Sequence, residues 1–308
     1  MAASLGVGLA ALGRPGYLNL GHGGDLGSDR TEAALEARTH EVLDAAFEAG
    51  VRYFDAARSY GRAERFLSTW LAARGIEPGD VAVGSKWGYE YTADWQVDAD
   101  PPEVKDLSVE TFRRQAGQTV ELLGDHLTLY QIHSATLESG VLDDEELIEE
   151  LGELSDGGVD VGVTVTGPEQ AATIDRAVEA DAFDSVQATW NLMERSAGDA
   201  LGRASAAGLR VIVKEALANG RLAGREPVPA LERAARSLGV APDVVAIAAA
   251  IAQPWADVVL SGAATVAQLR SNLGARTVAL GPGVVDELDA LGEPAGDYWQ
   301  RRSALDWT

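Results

Sequence analysis

A chain of 308 residues, 46% of them hydrophobic, could form one large barrel or two ordinary domains, and it has ample apolar material for a sizeable core. Its formal net charge of −23 opposes nucleic acid and anionic membranes as partners, and the absence of cysteine excludes disulfides and thiolate metal sites. No apolar run has the length of a membrane span, and Met1-Ala2-Ala3-Ser4 lacks the basic start of a secretory signal, so the expectation is a cytoplasmic protein with no resident metal.

Leu5-Gly6-Val7-Gly8-Leu9-Ala10 reads as a first strand, followed by a glycine-rich loop to Gly27. Gly6-Val7-Gly8 lacks the third glycine of a dinucleotide fingerprint, so it is read as strand and loop. From there short apolar strands near 51–55, 81–86, 127–132, 159–164, 184–188, 209–214 and 257–261 alternate with helical runs near 38–49, 62–74, 108–123, 144–154, 168–179, 197–207, 228–238, 242–252 and 265–274. No Pro/Gly/Ser-rich linker or charge block divides the series, which favours one domain over residues 1–308. About eight strand–helix alternations call for a parallel sheet, and at this length an α/β fold closed as a (β/α)8 TIM barrel is the economical solution. An open doubly wound sheet is the alternative, although it lacks the phosphate fingerprint it normally carries.

Three consecutive strands end in groups that strands seldom carry: Asp55, Lys86 and His133, with Tyr60 five residues beyond the first. The chain has only three lysines and four histidines, which makes these placements more telling. In a barrel the carboxyl ends of the strands share one mouth. A phenol near an ammonium becomes a better acid, Asp55 would hold Lys86 charged, and His133 would orient the same substrate oxygen. Such a set suits protonation of a carbonyl oxygen, with a cofactor hydride as the attacking species. Taken alone, Asp55 reads equally as a turn-closing or capping residue and Tyr60 as packing on the rim.

These residues resemble the aldo-keto reductase family. The family's Asp-Thr-Ala-x-x-Tyr-Gly reads Asp55-Ala56-Ala57-Arg58-Ser59-Tyr60-Gly61, its strand-end lysine reads Ser85-Lys86, and its histidine reads Gln131-Ile132-His133. The resemblance implies a catalytic tetrad of Asp55, Tyr60, Lys86 and His133, a (β/α)8 barrel, and reduction of an aldehyde or ketone, or oxidation of an alcohol, with NADP(H). Members usually carry a hairpin that plugs the barrel floor, for which little chain precedes the first strand here.

In the second half, Val161-Gly162-Val163-Thr164-Val165 resembles the family's Gly-Val-Ser-Asn strand end, with valine replacing the asparagine. Thr164 and Gln187 are then the expected contacts of the nicotinamide amide. The tyrosine that usually stacks on the ring is missing from Val211-Ile212-Val213-Lys214. Lys214, with the turn from Ala216 to Gly220 that includes Asn219, is assigned to the pyrophosphate, or else Lys214 pairs with Glu215 or another acid. Ser261 to Asn272 resembles the adenosine-binding loop and helix: Thr265 is the N-cap, and Gln268 and Asn272 are cofactor contacts. Arginines that commonly select the 2′-phosphate are replaced by Ala264 and Gln268, so NAD(H) should also serve, with a preference for NADP(H) on the order of tenfold or less.

Trp87, Tyr89, Tyr91 and Trp95 in the loop after Lys86 either wall a substrate pocket or cover the barrel top, and Trp299 and Trp307 in the tail should reach the same mouth. Trp87, Tyr89 and Trp299 are the expected pocket residues for a small carbonyl or alcohol. Two other classes stay open: a hydrolase pairing Asp55 with Glu64 or Glu215, and a cofactor-binding sensor on the same fold. A monomer or small homo-oligomer is expected.

Overall fold

The computed structural model of the chain describes residues 3–308. Among the described residues ten strands run in order: β1 (Ser4–Gly8), β2 (Tyr53–Asp55), β3 (Ala82–Trp87), β4 (Tyr89–Tyr91), β5 (Glu103–Lys105), β6 (Leu127–Ala135), β7 (Asp160–Val165), β8 (Ser185–Thr189), β9 (Arg210–Lys214) and β10 (Val258–Ser261). Eight close a parallel barrel in the order β1-β10-β9-β8-β7-β6-β3-β2, and β4 with β5 makes a separate antiparallel ribbon. The barrel is a (β/α)8 fold in a single domain. Because β1 begins at Ser4, only Ala3 of the described residues precedes the barrel.

The helices are α1 (His22–Leu26), α2 (Glu32–Glu48), α3 (Ala63–Arg74), α4 (Val109–Leu123), α5 (Glu145–Asp156), α6 (Gln170–Ala180), α7 (Gly198–Ala206), α8 (Pro229–Leu238), α9 (Pro242–Ile251), α10 (Val266–Leu273), α11 (Pro282–Asp289) and α12 (Ala295–Ser303). Their starts follow local chemistry. Thr31, Ser108, Asp144 and Thr265 each accept a backbone N–H of the first turn, a cap worth about 1 kcal/mol, and proline opens α8, α9 and α11. The sequence pattern missed α1, which lies in the stretch read as a glycine-rich loop, as well as α11, α12 and the β4–β5 ribbon. None of the described helices is long and apolar enough to cross a membrane.

The principal core lies between barrel and helices. Val83, Trp87, Tyr130, Ile132, Val161, Val163, Val186, Val211 and Val213 pack outward from the strands against helix residues such as Leu67, Trp70, Phe112 and Ile174. Alternate strand positions face the barrel interior, where Asp55, Lys86, Gln131 and Gln187 lie. This period of two decides which strand-end residues can serve a site. A second cluster, with Leu222, Leu231, Leu288, Tyr298 and Trp299, seats α8, α11 and α12 beside the mouth.

Candidate active site

Two glycines seat the tyrosine. A Cβ on Gly13 would lie 2.1 Å from the Tyr60 carbonyl oxygen, and one on Gly61, at φ +61°, would lie 2.4 Å from the Gly13 oxygen. The loop after β1 therefore packs backbone to backbone on the turn after β2, fastened by a bond from Arg62 N to Gly13 O of 2.7 Å. This contact carries Arg14 to the Tyr60 ring, 5.3 Å from guanidinium carbon to ring centre. Arg14 Nη1 donates to Ser59 O and to Glu103 Oε2, both at 2.8 Å.

Asp55 and Lys86 come from neighbouring strands and are almost wholly buried, at 2% and 1% side-chain exposure. Lys86 Nζ donates to Asp55 Oδ2, and to Ala56 O at 2.8 Å. The other carboxylate oxygen of Asp55 accepts from Tyr53 Oη at 3.3 Å, Gln131 Nε2 at 3.3 Å and Gln187 Nε2 at 3.1 Å. The lysine ammonium sits 5.0 Å from the Tyr60 ring centre. His133 meets that ring edge-on with centroids 5.6 Å apart.

His133 reaches this point through an irregularity. The β6–β7 register shifts between Ile132 and Ala135, and Ser134 takes φ +59°. Such a bulge re-aims side chains at a strand end. Thr164 Oγ1 pins it by accepting the Ser134 N–H at 2.7 Å, and Lys105 Nζ donates to Ser134 O at 2.7 Å.

Asp55, Tyr60 and His133 line one cavity of about 730 Å³, together with Gln187, Lys214, Asn219, Gln268, Asn272 and Tyr89. The cavity runs from the tetrad past the loop after β9 to the face of α10. Asn219 Nδ2 donates to Leu18 O at 2.9 Å, and Leu20 N donates to Asn219 O at 3.0 Å, joining the β1 and β9 loops along the wall. At the far end Gln268 Oε1 accepts the Ala264 N–H at 2.9 Å. The Asn272 amide, oriented to satisfy both neighbours, accepts from Ser261 Oγ and donates to Asp243 Oδ2, each at 2.8 Å.

Four expectations are corrected. Trp87 follows Lys86, so the period of two turns it outward: it is fully buried against Phe112 with ring centroids 5.1 Å apart, in the core and not in the pocket. Trp299 packs with Tyr298 in the second core cluster, and it is Arg302 and Trp307 that bring the tail to the cavity. Thr164 is buried on the Ser134 amide, and Thr166, two residues further along, lines the cavity instead. Thr265 caps α10 through Gln268 N at 3.2 Å and is not on the wall. In the loop after β3 only Tyr89 of the four rings faces the cavity, while Trp95 donates to Arg30 O at 2.8 Å.

The electrostatics change one further expectation. Burial raises the Tyr60 phenol above its usual range and the Asp55 charge raises it further, while Arg14 is the cation that opposes them. Lys86 is occupied by Asp55. Burial holds His133 well below the ordinary imidazole range, and Lys86, Lys214, Arg14 and Lys105 push it the same way, so its ring is neutral. Lys214 is pushed down to about 8 by burial, against the pull of Glu215.

The two partners expected for a carboxylate pair are both engaged elsewhere. Glu64 accepts from Ser85 Oγ at 2.6 Å and Thr119 Oγ1 at 2.8 Å, pairs with Arg58, and does not line the cavity. Glu215 does line it but is held bidentately by Arg302, with Nε 3.0 and 2.9 Å from its two oxygens. Burial alone would raise its carboxyl, but Arg302 brings it below the usual value, so it is ionised and not an acid catalyst. Arg14 and Arg302 carried no signal in the pattern of strands and helices.

An eight-stranded parallel barrel with an Asp-Tyr-Lys-His cluster at the carboxyl ends of its strands defines an oxidoreductase of the aldo-keto reductase class. The sequence profile of the Aldo/keto reductase family matches residues 18–293, and the chain belongs to that family. Among solved structures it is similar to the aldo-keto reductase AKR11C1 from Bacillus halodurans in its holo form, with 20% identity, a TM-score of 0.72, and coverage of 96% of this chain and 93% of that one. It is also similar to PA4992 from Pseudomona aeruginosa, with 22% identity, a TM-score of 0.65, and coverage of 89% of this chain and 90% of that one. No curated protein matches the sequence significantly.

Proposed function

We propose that the protein reduces an aldehyde or ketone, or oxidises the corresponding alcohol, using a nicotinamide dinucleotide, with Tyr60 as the proton donor to the carbonyl oxygen. The observation that carries this reading is the convergence of Tyr60, His133 and the buried Lys86–Asp55 pair on one end of a cavity whose other end is formed by Gln268 and Asn272. The cavity's polar lining fits a dinucleotide: Gln187, Asn219, Gln268, Ser271 and Asn272 supply amide and hydroxyl groups along it, and Gly262 leaves open space beside them. When bound, that cofactor supplies the hydride.

Tyr60 is protonated at neutral pH, because burial favours the neutral phenol. Neutral His133 lines the cavity beside Tyr60, where its ring can donate a hydrogen bond to the same substrate oxygen. Both hydrogen bonds strengthen as charge develops on that oxygen. Asp55 fixes Lys86 beneath the tyrosine ring. Tyr89, packed on His133 with centroids 4.9 Å apart, walls the substrate side. NADP(H) remains the assigned cofactor through the family resemblance, with NAD(H) also accepted.

The test is turnover of a simple activated aldehyde with the reduced cofactor, followed in wild type and in Tyr60→Phe. The variant should lose on the order of 10²–10⁴ in rate while binding cofactor as before, read from quenching of tryptophan fluorescence. A variant that turned over like wild type would remove Tyr60 from its role. Cofactor binding without turnover of any carbonyl would leave a sensor.

A further inference from the structure

The cations around the cavity are, with one exception, held in ion pairs. Arg14 is paired with Glu103, Lys86 with Asp55, Arg225 with Asp25 and Arg302 with Glu215. Lys105, outside the wall, is bonded to the Ser134 carbonyl. Lys214 is different: among the described residues no carboxylate or carbonyl accepts from its ammonium, although Glu215 is its neighbour in sequence. Arg302 has taken that carboxylate. The groups that face Lys214 are Glu215 on its own strand end, Arg302 from α12, Lys86 from β3, Asp55 from β2 and His133 from β6. With the first four joined as two ion pairs and His133 neutral, one positive charge is left over at the tetrad end.

We infer that Lys214 makes this site discriminate between the two redox states of its cofactor, weakening the oxidised form relative to the reduced one. The inference rests on the nicotinamide reading above. A ring that delivers hydride to a carbonyl carbon held by Tyr60 and His133 must lie within a few ångströms of them, and so within the field of Lys214. The oxidised nicotinamide ring carries a positive charge and the reduced ring carries none, so an uncompensated ammonium repels one state only. The stacking tyrosine that the family resemblance leads one to expect at this strand end would be neutral toward that difference. The consequence is a site that takes up the reduced cofactor and releases the oxidised one readily, which favours carbonyl reduction.

Linkage gives the same device a pH dependence. A protonated Lys214 opposes the oxidised ring, so binding of the oxidised form releases a proton in the range around pH 8, while the reduced form does not. Raising the pH through that range should bring the two affinities together.

The experiment measures dissociation constants of oxidised and reduced cofactor by calorimetry for wild type, Lys214→Met and Lys214→Arg, at pH 6.5 and 9.5. At pH 6.5 Lys214→Met should tighten the oxidised form against the reduced form by about tenfold or more, and Lys214→Arg should keep the wild-type ratio. The wild-type ratio should approach that of Lys214→Met at pH 9.5. If both redox forms weaken by one common factor in Lys214→Met, the lysine holds a phosphate and the inference is wrong. It is equally wrong if the ratio is unmoved in a Lys214→Met protein that melts like wild type. Should wild type bind neither form, it is the nicotinamide reading itself that fails.

Discussion

The Arg14 guanidinium lies between the rings of Tyr60 and Trp307, 5.3 Å from one centre and 4.5 Å from the other. The loop after β1 thereby supplies the cation that offsets burial at the proton donor. Arg14→Met should raise the phenol further and shift the alkaline limb of the pH–rate profile upward, with a lower maximal rate because a weaker acid transfers its proton less readily. A limb that stayed in place would show that Arg14 only packs.

Lys86 and Asp55 behave as one unit. Removing either partner strands a charge inside the barrel, a loss of about 3–5 kcal/mol when a buried pair is broken. Lys86→Met and Asp55→Asn should each lower the melting temperature and abolish most turnover. The double variant should recover stability without recovering rate. Thermal melts beside kcat measurements separate the two effects.

The Glu215–Arg302 pair predicts an acid limb in stability. Arg302 holds the Glu215 carboxyl below its usual value despite burial, so the stabilisation is present above the unfolded value near pH 4.5 and is lost as pH falls through the lower folded value. In Arg302→Met burial acts unopposed by that guanidinium, Glu215 moves up, and its linkage reverses sign. Denaturant unfolding at pH 7 should show a loss of about 3 kcal/mol that shrinks towards pH 3. A difference independent of pH would place the effect in packing of the Arg302 stem.

Cofactor choice turns on the far end of the cavity. Neither Arg270 nor Arg276 lines it, and Arg276 is bonded to Ala49 O at 2.8 Å. Asp243 adds a carboxylate there. Discrimination in favour of a 2′-phosphate should therefore be tenfold or less in kcat/KM. Ala264 is buried with Leu26, Leu35 and Phe66, so the arginine that would restore selectivity belongs at Gln268, which faces the cavity. Gln268→Arg should raise the NADP(H) preference by about tenfold, one charge-assisted bond's worth. A thousandfold preference in wild type would contradict this.

The barrel was legible because each strand is a short apolar run and each helix has its own periodicity. Asp55, Lys86 and His133 stand out for a related reason: they are charged or polar groups where a strand should be apolar. Trp87 shows how local the remaining information was, since its place beside an inward lysine already turned it away from the pocket. Arg14 sits in a glycine-rich loop without a period, and nothing near it in sequence points to Tyr60. Glu215 and Arg302 are 87 residues apart and meet only because α11 and α12 fold back over the mouth. The β4–β5 ribbon is formed by two three-residue segments with a long excursion between them, too little for a strand pattern to register.

Tyr17 and Thr308 exchange backbone hydrogen bonds, N to O at 3.3 Å and 3.2 Å, and Trp307 beside them lines the cavity. The segment around Trp307 is thus built into the rim of the chamber that Arg14 and Tyr60 occupy. A change that pulls Thr308 away from Tyr17 would loosen the Trp307–Arg14 stack and open that rim.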